Sequence, residues 1–140
     1  MAAFNKFNSF VEALAEKVHN LGGDTLKVML TNTAPVATNT VKANLTEISA
    51  GNGYTAGGNT ASVTSSAQTS GTYKLVLGDP ATWTATGGSI GPFRYAVLYN
   101  DTATNDELIG WWDYGSSITL ASGESFAVDF DPTTGVLTLA

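Results

Sequence analysis

Hydrophobic residues in the first part of the chain recur at steps of three and four. They are Phe4, Phe7, Val11, Leu14, Val18 and Leu21. This spacing places apolar side chains on one face of a helix. Ser9 and Glu12 form a capping-box pattern, Asn5 is an alternative cap, and Gly22–Gly23 is a strong stop signal. We therefore predict an N-terminal amphipathic α-helix that starts near residue 5 or 9 and ends at 21, within a unit spanning residues 1–23.

From residue 24 onward the pattern changes to the alternation of β-strands. In residues 25–31, Leu26, Val28 and Leu30 alternate with Thr25, Lys27 and Met29. Similar runs, separated by turn-forming residues, occupy 72–79, 82–86, 92–100, 107–115, 117–121, 124–131 and 135–140. Roughly eight to ten short strands at this spacing predict a mainly β domain over residues 24–140, with an antiparallel β-sandwich or jelly-roll-like architecture.

Residues 50–71 are rich in Gly, Ser, Thr and Asn, a composition shared by ordered loops and flexible linkers. Tyr54 and Val63 supply apolar anchors, and threonine favours strands. We favour an ordered loop with a strand near 61–67 over a flexible linker.

Residues 89–115 hold the densest aromatic stretch. In 92–100, Phe93, Tyr95, Val97 and Tyr99 are predicted to share a core-facing side, with Arg94, Ala96 and Leu98 on the other side. The alternation also predicts that Leu108, Gly110, Trp112 and Tyr114 share one face, with Ile109, Trp111 and Asp113 on the opposite one.

Trp111 and Trp112 are consecutive, so on a strand they must point to opposite faces. At most one of the two indoles can then lie in the core of the domain. The other must be shielded from solvent by a different contact. The alternatives are the helix or a loop of the same chain, a neighbouring protein, or a sugar or other small ligand stacked on the ring.

The loop between these strands, residues 100–107, carries Asp101, Asn105, Asp106 and Glu107. Calcium sites need six or more oxygens from a tightly turned segment, and the EF-hand order with its central glycine is missing here. We interpret the loop as a solvated hairpin connection and expect no metal site.

Composition narrows the classes of function. The chain has 140 residues, no cysteine and a net charge of −6, and its few basic residues are scattered. The length is typical of a single domain. The lack of cysteine excludes disulfides and thiolate metal sites. Because the chain is acidic, we expect neither nucleic acid nor a membrane as a partner. The N-terminus lacks the basic start and unbroken apolar run of a signal peptide, so we expect synthesis in a cytoplasm.

The sequence offers no catalytic motif. His19 is the only histidine, and no G-x-S-x-G motif accompanies it. One histidine cannot build a histidine-rich zinc site, so we interpret His19 as a surface or interface residue. We predict a protein that is not an enzyme and has no catalytic, cofactor-binding or metal-binding residues.

Three stretches carry a resemblance. They are "YKLVLGDPATWTATGGSIGPFRYAVLYNDTATNDELIGWWDYG" (73–115), "SITLASGESFAVDFDPTTGVLTLA" (117–140) and "LKVMLTNTAPVATNTVKANLTEISAGNGYTAGG" (26–58). Together they resemble small virion structural proteins of tailed bacteriophages, and the resemblance covers most of the chain.

The resemblance implies a non-enzymatic virion protein. The first expectation is a capsid decoration, or cement, protein that binds and stabilises the assembled head as a homo-oligomer, with partners such as the major capsid protein. The alternative is a neck or tail accessory protein, or a carbohydrate-binding module of the tail that recognises a receptor. The candidate interface anchors are Phe4, Phe7, Phe10, Trp111 and Trp112.

Overall fold

A computed structural model describes residues 2–140. The chain is mainly β with antiparallel sheets and one short N-terminal α-helix, which confirms the predicted class at this level. The elements in chain order are β1 (Asn5–Lys6), α1 (Ser9–Ala15), β2 (Leu26–Thr31), a 3₁₀ helix (Lys42–Asn44), β3 (Asn59–Thr60), β4 (Val63–Thr69), β5 (Thr72–Leu77), β6 (Trp83–Thr84), β7 (Ile90–Asn100), β8 (Leu108–Leu120), β9 (Ser125–Phe126) and β10 (Leu137–Leu139).

Within residues 2–140 the strands form three sheets. The main sheet has the order β1-β8-β7-β2-β3, a second has the order β10-β5-β4, and β6 pairs with β9 alone. The two predicted runs 107–115 and 117–121 are one continuous strand, β8. The predicted strand 124–131 is wrong beyond β9, because the chain leaves the ladder there and Phe130 N–H donates to Asp79 Oδ1 instead.

Apolar side chains cover both faces of the main sheet. One face contributes Val28, Leu30 and Leu98 to a large core shared with Leu75 and Leu77 of the second sheet. The opposite face carries a smaller buried cluster. Its members are Phe7, Met29, Leu45, Val97, Tyr99 and Leu108, with Trp111 packed against them. The central strands are therefore buried on both sides.

Helix α1 is much shorter than predicted. Its end is a Schellman arrangement, in which Val18 N–H donates to the Ala13 carbonyl and Lys17 N–H to the Leu14 carbonyl. Lys17 takes the left-handed φ of 69° that glycine usually provides there. The predicted capping box at Ser9 is also wrong, because Asn8 holds the cap position without a side-chain hydrogen bond.

Three irregularities in the pairing of β7 with β8, the first of them between Ile90 and Phe93, shift the alternation of faces. The register slips between Phe93 and Tyr95, so Phe93 joins the large core with Leu98 rather than the side of Val97. It slips again between Leu98 and Tyr99. The predicted grouping of faces is therefore wrong in part, because residues without a partner on the facing strand change the phase of the alternation.

Residues 50–71 are ordered and contain a strand, as predicted. β4 supplies that strand, and Tyr54 and Ala61 are buried in the large core. Gly58 has a φ of +77° and lies so close to the Val28 carbonyl that a Cβ there would collide with it. This close approach lets β3 pair with β2.

Candidate functional site

The predicted interface anchors lie mostly inside the molecule. Phe7, Phe10 and Trp112 are exposed by 0%, 1% and 6%, so these three are corrected from surface anchors to core residues. Their own chain supplies the cover: Trp112 contacts Phe4 and Phe130, with ring centroids 5.3 Å apart in each pair. Phe7 and Phe10 therefore have no apolar surface left for a partner, and Trp112 keeps only a small exposed part.

The two consecutive tryptophans do point to opposite faces, as predicted. Trp112 belongs to the large core, whereas Trp111 packs against the smaller cluster with its ring 4.6 Å from that of Phe7. The cover of the second indole therefore comes from the segment before α1. Phe4 and Trp111 remain half-buried, and Phe4 lies over Gly110, where any Cβ would collide with its ring.

An open groove lies where β7 and β8 face the segment 126–129. We call it the aromatic groove, and it has a volume of about 320 Å³. Its aromatic lining is Phe93, Tyr95, Trp112, Tyr114 and Phe126. Tyr114 is the most exposed large side chain of the set, at 55%, and its ring centroid lies 5.8 Å from that of Phe126. The groove thus offers a preformed apolar contact surface.

An ion pair accompanies the groove. Arg94 Nε lies 2.8 Å from Asp113 Oδ1, and Arg94 Nη2 lies 3.0 Å from Asp113 Oδ2. The pair is therefore bidentate. The guanidinium also lies 5.4 Å from the centre of the Tyr95 ring. The hydrogen bonds from Arg94 and from Gly115 N–H lower the pKa of Asp113. The pair holds Arg94 in place along one side of the groove.

The acidic residue Glu47 ties several loops together. Its carboxylate accepts hydrogen bonds from the Tyr54 hydroxyl at 2.7 Å, from Gly57 N–H and from Lys42 Nζ at 3.0 Å. Tyr99 adds a bond from its hydroxyl to the Gly57 carbonyl at 2.7 Å. Burial raises the pKa of Tyr54 and of Tyr99 above the ordinary value. Both phenols therefore stay protonated and serve as hydrogen-bond donors.

His19 is buried at 5% exposure, so its predicted surface location is wrong. The amide of Asn100 accepts bonds from the N–H groups of Thr102 and Ala103 and donates to Asp24 at 2.7 Å. These bonds fix the amide orientation, so its nitrogen also faces His19 Nδ1 at 3.0 Å. His19 Nδ1 must accept that bond, and its ring proton therefore sits on Nε2.

Residues 101–107 connect β7 to β8, as predicted for a hairpin connection. Asp101 pairs with Lys27 at 3.3 Å, and burial together with the Asp101 charge raises the pKa of Asp106. Within residues 2–140, no three metal-binding side chains come close enough to hold an ion. No helix in the described part of the chain is long and apolar enough to span a membrane.

No pattern in the sequence indicates that Arg94, Tyr114 and Phe126 line one groove, with Asp113 paired to Arg94. The spacing of Trp112 and Tyr114 indicates a shared face, but nothing in the sequence shows that residues 126–129 return to lie beside them. Comparison of the chain with family models, with curated proteins and with solved structures gives no significant match.

Proposed function

We propose that this chain is a non-enzymatic virion structural protein of a tailed bacteriophage, made in the host cytoplasm and located in the virion. Its most specific role is that of a capsid decoration protein. It binds its own copies and other virion proteins, such as the major capsid protein, and reinforces the assembled head. The large core shared by the main and second sheets supports the sandwich or jelly-roll-like architecture that such a role uses.

The observation that carries this proposal is the aromatic groove, which lies in a domain whose loops are held on the sheets by hydrogen bonds. The Glu47 and Asn100 hydrogen bonds hold the loops on the sheets, and the groove is open without any rearrangement. A preformed apolar surface loses little conformational entropy when a partner docks. Tyr114 is the natural anchor, because exposed tyrosines are enriched among residues that dominate binding energy.

Binding to particles tests the proposal. Purified chain is added to tailed-phage particles assembled from the same genome with this gene deleted, and co-sedimentation is measured. We expect saturable binding, and we expect Tyr114→Ala to weaken it about tenfold or more because a central aromatic contact is lost. The matched control is Val11→Ala, which removes an exposed apolar side chain from α1 instead.

Two outcomes contradict the proposal at different levels. If the unmodified chain neither binds these particles nor self-associates, the virion role is wrong. If Tyr114→Ala and Val11→Ala bind as tightly as the unmodified chain, the groove is not the contact surface.

The second candidate function is carbohydrate binding by a tail module. Tyr114 and Arg94, which both line the groove, favour it, because sugars stack on aromatic faces and form hydrogen bonds with charged planar groups. Screening on a glycan array, with and without a chelator, tests this function. Binding that disappears in Tyr114→Ala supports it, and an array without signal beside clear binding to particles contradicts it.

A further inference from the structure

Strand β4 forms one edge of the second sheet. It pairs with β5 on one side, and no other strand of residues 2–140 pairs with its outer side. Seven residues are involved, Val63–Thr69, and most of their side chains are exposed. An edge of this kind presents unpaired backbone N–H and C=O groups to a further strand.

The β4 edge lacks the usual protection against pairing. Proteins block open edges with charged side chains, prolines or bulges that twist the strand away. No charged residue and no proline occurs anywhere between Glu47 and Lys74. The only irregularity in β4 lies at its start, between Val63 and Ser65. The remaining stretch, 65–69, is regular and uncharged, and its side chains are exposed except for the half-buried Ser66, which lies beside Gly22.

The β4–β5 hairpin determines which backbone groups face outward. Ser70 and Gly71 have φ values of 51° and 86°, the left-handed pair of a two-residue hairpin loop, and Thr69 lies opposite Thr72. In such a hairpin the flanking pair is hydrogen-bonded, and bonded residues alternate along the strand. The N–H and C=O groups of Ser66 and Gln68 therefore point away from β5.

We propose that the β4 edge pairs antiparallel with β4 of a second copy of this chain, about a two-fold axis at Ser66. This inference rests on the self-association in the proposed function and names its surface. Charge favours this face: each copy carries a net charge of −6, and the segment 48–73 lets two copies approach without placing charged side chains against each other. The edge is also self-complementary, as a two-fold contact requires.

Stable protein interfaces bury a total accessible surface of about 1,200 Å² or more. A single pair of strands buries less than this, so the pairing is weak in solution. When copies are already held side by side on a particle, their high local concentration makes the same contact effective. The edge thus fits a contact formed mainly on the assembled shell.

The two-fold register gives a sharp test. It places Ser65 opposite the second copy's Ala67, and the side chains at both positions are exposed. Ser65→Glu with Ala67→Glu sets carboxylates directly against each other twice, which we expect to weaken dimerisation about tenfold. Ser65→Lys with Ala67→Glu sets opposite charges together at the unchanged net charge of −6, and we expect dimerisation at or above the original level.

Dimerisation is measured by sedimentation equilibrium from about 10 μM to 1 mM, a range that covers weak contacts. Hydrogen exchange of the Ser66 and Gln68 amides provides a second readout, with slower exchange at high protein concentration. The control Val36→Glu with Thr38→Glu adds the same charge at exposed positions outside β4, and we expect unchanged dimerisation.

The inference is overturned if the unmodified chain stays monomeric at about 1 mM, or if the two β4 variants dimerise equally. Co-sedimentation of the unmodified chain with particles separates the two proposals. If particles bind it while β4 variants change nothing, the edge proposal fails and the virion role stands.

Discussion

At the scale of single residues, Glu47 shows how a lone carboxylate can organise a loop-rich segment. It joins the 3₁₀ helix, through Lys42, to Tyr54 and to Gly57 in the segment that precedes β3. Tyr54 in turn accepts a hydrogen bond from Leu30 N–H, so the loops are tied to β2. A carboxylate that accepts hydrogen bonds from three separate positions of the chain has a structural role.

We expect Glu47→Ala to lower the free energy of unfolding by about 1–3 kcal/mol, since it leaves polar partners unsatisfied in a partly buried site. Urea denaturation measures this change, and hydrogen exchange should accelerate in residues 50–60. The comparison variant is Glu16→Ala, an exposed glutamate, with an expected change within about 0.5 kcal/mol. Equal effects of the two substitutions would contradict the assigned role of Glu47.

His19 makes stability depend on pH. Burial lowers its pKa below the ordinary value of 6.5, against the opposing charges of Glu107 and Asp24. The unfolded chain therefore takes up a proton first as the pH falls below 6.5. The contribution of neutral His19 is complete above 6.5, declines as the pH falls toward the lowered pKa, and levels off below it.

We expect the contribution of residue 19 to the pH dependence of stability to disappear in His19→Gln. The glutamine side-chain oxygen can accept the Asn100 hydrogen bond but does not titrate. Urea unfolding of both proteins between pH 8 and 5, a span around the ordinary histidine pKa, gives the difference directly. A difference that stays constant across this range would show that His19 has the same pKa in the folded and unfolded chains.

At the scale of elements, the sequence predicted the existence of most strands but not their phase or the length of the helix. Alternation found β2, β5 and β7 because their apolar residues face covered sides. It could not find the bulges in the β7–β8 pairing, since a bulge leaves no periodic signal. Gly22–Gly23 suggested a late helix stop, whereas the helix ends where Lys17 takes a conformation rare for its type.

The left-handed backbone conformation of Lys17 is therefore expected to lower the stability of the fold. Glycine adopts the left-handed conformation without the Cβ penalty, so we expect Lys17→Gly to raise the free energy of unfolding by about 0.5–1 kcal/mol. Thermal and urea unfolding measure the change. Lys17→Ala, which keeps the Cβ, serves as the control and should change stability by less than about 0.5 kcal/mol. A loss of stability in Lys17→Gly would contradict the Schellman assignment.

At the scale of the whole molecule, the candidate site was less predictable than the fold. The sequence indicates an abundance of aromatic residues but not which ones the chain itself covers. Phe7 and Phe10 looked like surface anchors because apolar residues near the N-terminus can pack on their own domain or on another, and here both pack on their own. The aromatic groove depends on residues 126–129 lying beside β7 and β8, a tertiary contact without a local signal.

The pairing of β2 with β7 also affects how the chain is made. Met29 lies opposite Val97, and translation at about 5–20 residues per second separates these positions by roughly 3–14 s. During that interval the ribosome holds a nascent apolar strand whose main partner does not yet exist. Chaperones that shield emerging hydrophobic segments would meet this protein early, at residues 26–31, well before its central sheet can close.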